Sequence, residues 1–311
     1  MSIQFTVPSE PAFPTLAAFL RTFDPAMTWS QARGHVYGRR VKVNGTLCLD
    51  DSRRLRTGDS VALLGNSAPP PPGLGSVKVV REDAAFLVIE KPSGMECERR
   101  HEQIRWSEQK RLSQPTVIES LEAMHHKVFG VHRLDRDTSG LMVYAKTPEA
   151  RDALVASFAR HDIERIYHAI AIGTVTPCTC RTYLVRDRGD SLRGSIAQPQ
   201  PDAEEAITHI EVLEVLAGGL YTHVQCRLET GKTHQIRIHL AEMGHPVCGE
   251  KLYLRSAPNT PAIVDNSHAP RHALHCHILG FAHPGNGRKM RFESPWPEDL
   301  ARWLPHIGKK A

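Results

Sequence analysis

No run of about 18 or more apolar residues, the length needed to cross a bilayer core, occurs in the 311-residue chain. The first residues, MSIQFTVPSEPAF, lack both the basic start and the apolar stretch of a secretion signal, so a cytoplasmic protein without membrane contact is expected. Cysteine shows no pairing pattern. Seven residues, an odd number scattered from Cys48 to Cys276, do not make a disulfide framework, and free thiols in a reducing compartment account for them. Only Cys178 and Cys180 lie close together, and their C-x-C lacks a second pair at zinc-ribbon spacing, so no structural metal is expected. Internal repeats are absent, as are the compositions of collagen and coiled coils. What is present is a globular balance, with 41% hydrophobic and 23% charged residues, in a chain long enough for one large domain and a small one.

Positive charge is concentrated. The whole chain carries +5, and residues 21–56 alone hold Arg21, Arg33, Arg39, Arg40, Lys42, Arg53, Arg54 and Arg56 against Asp24, Asp50 and Asp51, an excess of the same size. Such a patch attracts a phosphate backbone through counterion release. The sharpest break in composition is GNSAPPPPGLGS, residues 65–76, where four successive prolines forbid helix or central strand and favour a semi-rigid extended spacer. Ahead of it, Leu16 to Phe23 and Trp29 to Val36 have helical apolar spacing, and short strands follow around the turns Asn44-Gly45 and Gly58-Asp59. After it, VKVVREDAAFLVIEKPSG predicts two strands separated by Arg81-Glu82-Asp83. A helix is predicted over Pro148 to Ala159, with Thr147 as its cap and Pro148 at its first position, and a short helix over Gln235 to Met243. Strand-like segments dominate the rest. The class is α+β: a catalytic domain with a central mixed, largely antiparallel sheet flanked by helices, and a small N-terminal α/β domain.

Three segments place polar residues inside apolar, sheet-like surroundings. In His132-Arg133-Leu134-Asp135-Arg136-Asp137-Thr138-Ser139-Gly140, Asp135 is bracketed by Arg133 and Arg136, which should keep it ionised, with Thr-Ser-Gly donors nearby. A structural salt bridge is the plainer reading for a lone Asp among arginines. In Leu228-Glu229-Thr230-Gly231-Lys232-Thr233-His234-Gln235-Ile236-Arg237-Ile238-His239, Gly231 permits a tight turn, His234 and Arg237 are spaced to share a helix face, and Arg237 is available to a carboxylate elsewhere. In Glu164-Arg165-Ile166-Tyr167-His168-Ala169, a Tyr sits among basic residues at a strand start, with plain core packing as the alternative reading.

In this order, HRLDRDTSG, RIYHA and LETGKTHQIRIH resemble the motifs of the RluA-type RNA pseudouridine synthases, with support from KPSG (91–94), GHPVCGEKLY (244–253), RHALHCHILGFAHP (271–284) and ESPWPEDL (293–300). The resemblance spans roughly 77–304. It implies an isomerase that turns a uridine of structured RNA into pseudouridine, with ribosomal RNA favoured over transfer RNA, acting as a monomer and needing no cofactor. It also implies the roles of individual residues: Asp135 as catalytic nucleophile or base, Tyr167 stacking on the uracil, Arg237 pairing with Asp135, and Arg133 filling the gap left by the flipped base. Lys232 and His234 of the same motifs are expected to contact RNA. Segment 13–64, with an apolar helix, GRRVKVNG and L-x-x-GD-x-V, resembles the S-four-like RNA-binding domain, which makes Arg33, Arg39, Arg40 and Lys42 RNA contacts. The expected domains are therefore 13–64, a spacer at 65–76 and a catalytic domain at 77–308. Lys232, Arg165, Glu250 and Leu254 depart from the commonest family residues, and only the last changes loop character.

Two other classes compete. One is an inactive RNA-binding ribosome-assembly factor, against which the intact Asp135, Tyr167 and Arg237 argue. The other is a metal-dependent hydrolase, suggested by 18 histidines, notably His272, His275 and His277 beside Cys276. No acidic HExxH-type partner accompanies them, so hydrogen-bonded histidines and no metal site are expected.

Overall fold

The computed structural model describes residues 2–8, 15–68 and 70–308. The chain divides into two compact units, Met1–Pro70 and Pro71–Ala311. Residue 13, the expected start of the small domain, and Pro69 of the spacer lie outside the described residues.

The first unit runs β1 (Ser2–Thr6), α1 (Leu16–Phe23), α2 (Trp29–Tyr37), β2 (Val41–Val43), β3 (Thr46–Leu47) and β4 (Ser60–Leu64). Leu16, Phe19 and Leu20 put one face of α1 into the core, and Thr15 caps it by accepting from the Ala18 amide. Thr28 and Gln31 form a reciprocal capping box on α2. Asn44 and Gly45, both with positive φ, make the tight turn between β2 and β3. The sheet order β1-β4-β2-β3 is antiparallel throughout. The expectation of two helices followed by a sheet omits β1, which pairs along β4 from Ser2 opposite Leu64 to Thr6 opposite Ser60. Five residues of weak alternation carry too little signal to be read as a strand unaided.

The second unit contains β5 (Lys78–Glu82), β6 (Phe86–Lys91), α3 (Glu108–Leu112), α4 (Val117–Ala123), β7 (Phe129–Gly130), β8 (Ser139–Ala145), α5 (Pro148–Ala159), β9 (Glu164–Ile172), β10 (Cys178–Val185), β11 (Gly194–Ile196), β12 (Glu204–Leu216), β13 (Tyr221–Leu228), α6 (Gln235–Glu242), β14 (Leu274–Ala282), β15 (Lys289–Glu293) and α7 (Glu298–Trp303). One sheet follows the order β11-β10-β12-β13-β9-β14-β8-β6-β5, with β15 added to β14 and β7 to β8. The class is α+β with a mixed, largely antiparallel sheet. Among the described residues the one parallel pairing joins β14 to β8, His275 opposite Ser139 and Cys276 opposite Gly140.

That seam explains the glycine that ends the first motif. Gly140 has φ +120, and a Cβ there would lie 2.4 Å from the Cys276 carbonyl oxygen and 2.6 Å from its amide nitrogen. Only glycine lets the strands meet so closely.

Two sequence expectations change. Arg81 and Glu82 belong to β5, and the break before β6 is Asp83–Ala85, where the Asp83 carboxylate accepts from the Ala85 amide at 2.9 Å. The spacer is not extended to residue 76: Leu74–Ser76 form a 3-10 turn, and the Pro72 ring packs against Gly94. Pro71 and Pro72, which lack amide donors, precede this turn and do not interrupt it.

Candidate active site

The loop before β8 carries Asp135, and the motifs around it hold the loop in place. Lys91, buried at the end of β6, donates its three ammonium hydrogens to the carbonyls of Pro92 (2.9 Å), Met95 (2.7 Å) and Arg136 (2.7 Å). Burial pulls this lysine down to about 8. Ser93 donates to the Asp137 carbonyl, and the Gly94 amide to the Arg136 carbonyl. The KPSG segment is thus a cradle for residues 135–137. His132 accepts from the Val143 amide through Nε2 and stacks on Phe158, so it anchors the loop. Burial and the Arg165 charge push it down to about 3.

The Thr-Ser-Gly hydroxyls serve the fold. Thr138 Oγ1 lies 2.9 Å from His272 Nε2, and Ser139 Oγ lies 2.9 Å from both His275 Nδ1 and an Arg271 nitrogen. Both side chains are buried, so the expected donors beside Asp135 are already engaged.

The partner of Asp135 comes from a segment 102 residues further along the chain. The LETGKTHQIRIH turn is fixed when Gln235 takes hydrogen bonds from Thr230 Oγ1 (2.9 Å) and the Lys232 amide (3.0 Å) while donating to the Ile207 carbonyl (3.0 Å). His239 then sits between Thr182 and Thr208, at 2.9 Å from each hydroxyl. With α6 so placed, Arg237 donates through one terminal nitrogen to Asp135 Oδ2 at 3.1 Å, and gives Nε and the other terminal nitrogen to the two oxygens of Glu250, each at 2.7 Å. The Glu250 side chain is fully buried, Arg237 is 7% exposed and Asp135 20% exposed. Glu250 was not singled out for a role in the sequence. Its only signal there is an acidic residue after Gly249 in GHPVCGEKLY.

Electrostatics follow from this sharing. Burial pushes the Glu250 carboxyl up, but Arg237 overrides it and holds the group well below the usual range. For Asp135, burial is likewise opposed by His234, Arg237 and His272, and the net direction is down. His272 is itself pushed by burial to about 3 and is neutral near pH 7, so Arg237 is the standing charge beside Asp135. The bracketing expected from sequence is replaced. Arg136 pairs with Asp137 at 3.3 Å, while Arg133 is exposed, because neighbours on a turn point in different directions.

His234 does not lie on the helix. It precedes α6 in the left-handed conformation (φ +62), which turns its ring towards Tyr253 Oη (2.6 Å) and places Nε2 3.8 Å from Asp135 Oδ1. Burial lowers its pKa despite Asp135. Tyr167 lies on β9 between Cys226 of β13 and Cys276 of β14, 7% exposed, and burial raises its phenol well above the ordinary value. Lys232, expected on RNA, pairs with Glu204 at 2.9 Å. In the first unit Arg33 lies 3.4 Å from Asp51, Arg39 donates to the Ala68 carbonyl, Arg40 to the Leu64 carbonyl, and Lys42 is half-buried.

Residues 85–242 match the family model described as RNA pseudouridylate synthase. A protein of Pseudomonas aeruginosa named Ribosomal large subunit pseudouridine synthase D is 35% identical over 73% of this chain and 70% of its own length. One of the same name from Escherichia coli O157:H7 is 31% identical over 90% of this chain and 86% of its own. The chain belongs to the RluA-type RNA pseudouridine synthases. It is accordingly an isomerase acting on RNA. A Bacillus subtilis protein named Uncharacterized RNA pseudouridine synthase YlyB is 29% identical over 99% of this chain and 98% of its own. The solved structure of Human RNA Pseudouridylate Synthase Domain Containing 1 shares the fold, with a TM-score of 0.55 and 22% identity over 72% of this chain and 85% of that one.

The histidines behind the hydrolase reading of this synthase are engaged otherwise: His275 and His277 both meet Ser294, and His272 meets Thr138. Among the described residues no helix is long and apolar enough to cross a membrane.

Proposed function

We propose that this synthase acts on a uridine of large-subunit ribosomal RNA, with Asp135 as the reacting carboxylate. The observation that carries the reading is the single 3.1 Å contact from Arg237 to Asp135, while Glu250 takes the other two faces of the same guanidinium. One cation shared by two carboxylates leaves a net negative charge, so Asp135 is oriented and kept ionised without being neutralised. A partly exposed anion of this kind suits attack on the sugar carbon or removal of a sugar proton, the first step of either route by which uracil leaves its sugar, turns and rejoins through carbon. Atoms and charge balance without a redox step.

Tyr167 presents an aromatic ring to the extruded uracil, and its raised phenol keeps a proton to share. Exposed Arg133 enters the vacated stack as a planar cation, and Lys232 and His234 contact the RNA around it. Arg33, Arg39, Arg40 and Lys42 of the first unit, read as an S-four-like domain, hold the phosphate backbone. Support for the ribosomal substrate comes from the names of the Pseudomonas and Escherichia relatives.

Pseudouridine mapping of total RNA from cells with the protein, without it, and with Asp135→Asn tests the reading. One site in large-subunit RNA should vanish in both of the latter two. A vanished site in transfer RNA would move the substrate, and a site retained with Asp135→Asn would remove Asp135 from the chemistry.

A further inference from the structure

Three sulfur atoms meet where α6 ends against β10. Cys178 and Cys180 are two apart on β10, so both side chains leave the same face of the strand. Thr179 between them points the other way, to His209. Met243, which caps α6, brings its thioether to the pair from 63 residues along the chain. The edges of the triangle are 3.7 Å between the thiols, 3.9 Å from Cys178 to Met243 and 3.3 Å from Cys180 to Met243. A point equidistant from the three lies about 2.1 Å from each, close to the roughly 2.3 Å of a metal–thiolate bond.

The donor set decides which ion fits. Among the described residues no three His, Cys, Asp or Glu side chains are placed to hold a metal, so a zinc-like four-donor site is not formed. Two thiols and a thioether are soft donors, and soft donors with threefold placement select Cu(I). All three residues are half-buried, open enough for an ion to arrive yet packed against the core. The other five cysteines are buried.

We propose that Cys178, Cys180 and Met243 form a trigonal site for a soft monovalent metal ion, Cu(I). On binding, the two thiols release their protons to solvent and form two sulfur–copper bonds, Met243 adds a lone pair, and copper keeps its oxidation state. The ion joins β10 to the last turn of the helix that carries Arg237. It adds to ties already there, His239 to Thr182 and Glu242 to the Ser195 amide. Binding therefore stiffens the seat of Arg237 from the end of α6 remote from Asp135.

The test uses the full-length protein, reduced and free of oxygen, titrated with Cu(I) against a chromogenic Cu(I) chelator. One equivalent per chain is expected, with X-ray absorption showing three sulfur neighbours. Cys178→Ser with Cys180→Ser should lose that equivalent. Met243→Leu conserves volume, keeps the fold as judged by circular dichroism, and should fall to two sulfur neighbours. Equal Cu(I) uptake by the double variant, three sulfurs surviving in Met243→Leu, or a Cys178–Cys180 disulfide in a protein that takes up no Cu(I) would each overturn the proposal.

Discussion

Arg237 faces two carboxylates, and the difference between them separates stability from chemistry. Arg237→Met strands the buried Glu250 charge, which should cost about 3–5 kcal/mol, and also takes the Arg237 cation away from Asp135. Glu250→Gln keeps the shape, but its single acceptor oxygen serves only one of the two Arg237 donors that Glu250 takes, and Arg237 then faces the Asp135 carboxylate without a competing charge. It should fold better than Arg237→Met and still react slowly, because in the proposed role a fully paired Asp135 is a weaker nucleophile and base. Urea melts beside single-turnover rates distinguish these effects, and an Arg237→Met protein with normal stability and rate would refute the shared pair. The Asp135–Arg237 contact was legible from two motifs although 102 residues separate the partners. Glu250 was not, because a single acid after Gly249 has no periodicity or spacing to mark it. Lys91 was visible within KPSG without a role, since three backbone carbonyls have no sequence signature. Arg133 and Arg136 misled because adjacency in sequence was taken for adjacency of charge.

At the level of elements, the parallel seam between β8 and β14 sets where the Asp135 loop can lie. Gly140→Ala would drive a Cβ into the Cys276 backbone at a φ that L-residues avoid, and should cost about 3 kcal/mol or more. Gly231→Ala offers the control. Its Cβ would meet the buried Arg165 guanidinium at 2.2 Å, and moving that group costs its bond to the Glu229 carbonyl but strains no backbone, so the loss should stay at about 1–2 kcal/mol, below that of Gly140→Ala. Urea midpoints of the two variants would be compared, and equal losses would discard the seam as the reason for Gly140. Helices with strong end signals were readable: α5 runs from Pro148 to Ala159 with Thr147 accepting from the Ala150 amide. The α4 helix carried an equally good signal, Thr116 and Glu119 in a capping box, that a search for longer apolar periods passes over. The parallel pairing itself has no local signature, since it is decided by which strands the whole sheet brings together.

Across the whole molecule, buried histidines couple stability to pH. Burial pushes His132 and His272 to about 3, and His239 and His275 to about 4. The unfolded chain takes up their protons near 6.5 while the folded one refuses them, so stability is full above about 6.5 and falls as pH drops towards 4. Each such histidine tilts the curve by up to about 1.4 kcal/mol per pH unit in that window. Unfolding free energies between pH 7 and 5 should give a slope of more than one proton, and a flat profile would mean the rings are charged in the fold. Charge and proline led to an expected spacer at 65–76, whereas the two compact units meet at Pro70 and Pro71, and Leu74–Ser76 form a 3-10 turn of the second. A chain beginning at Pro71 keeps its own core, whose buried cluster starts at Val77 and contains no residue of the first unit, so it should fold. It also keeps Asp135, Tyr167 and Arg237. What it loses is the basic segment, where Arg33, Arg54 and Arg56 are exposed to a backbone. Each phosphate contact removed should lower the log–log salt slope of RNA binding by about 0.7–0.9. Binding to a ribosomal RNA fragment should therefore be weaker at low salt and less sensitive to added salt, with single-turnover rates at saturating RNA little changed. A salt slope identical to that of the full chain would show that the arginines of the first unit form a solvated face, and would leave RNA anchoring to Arg133, Lys232 and His234 alone.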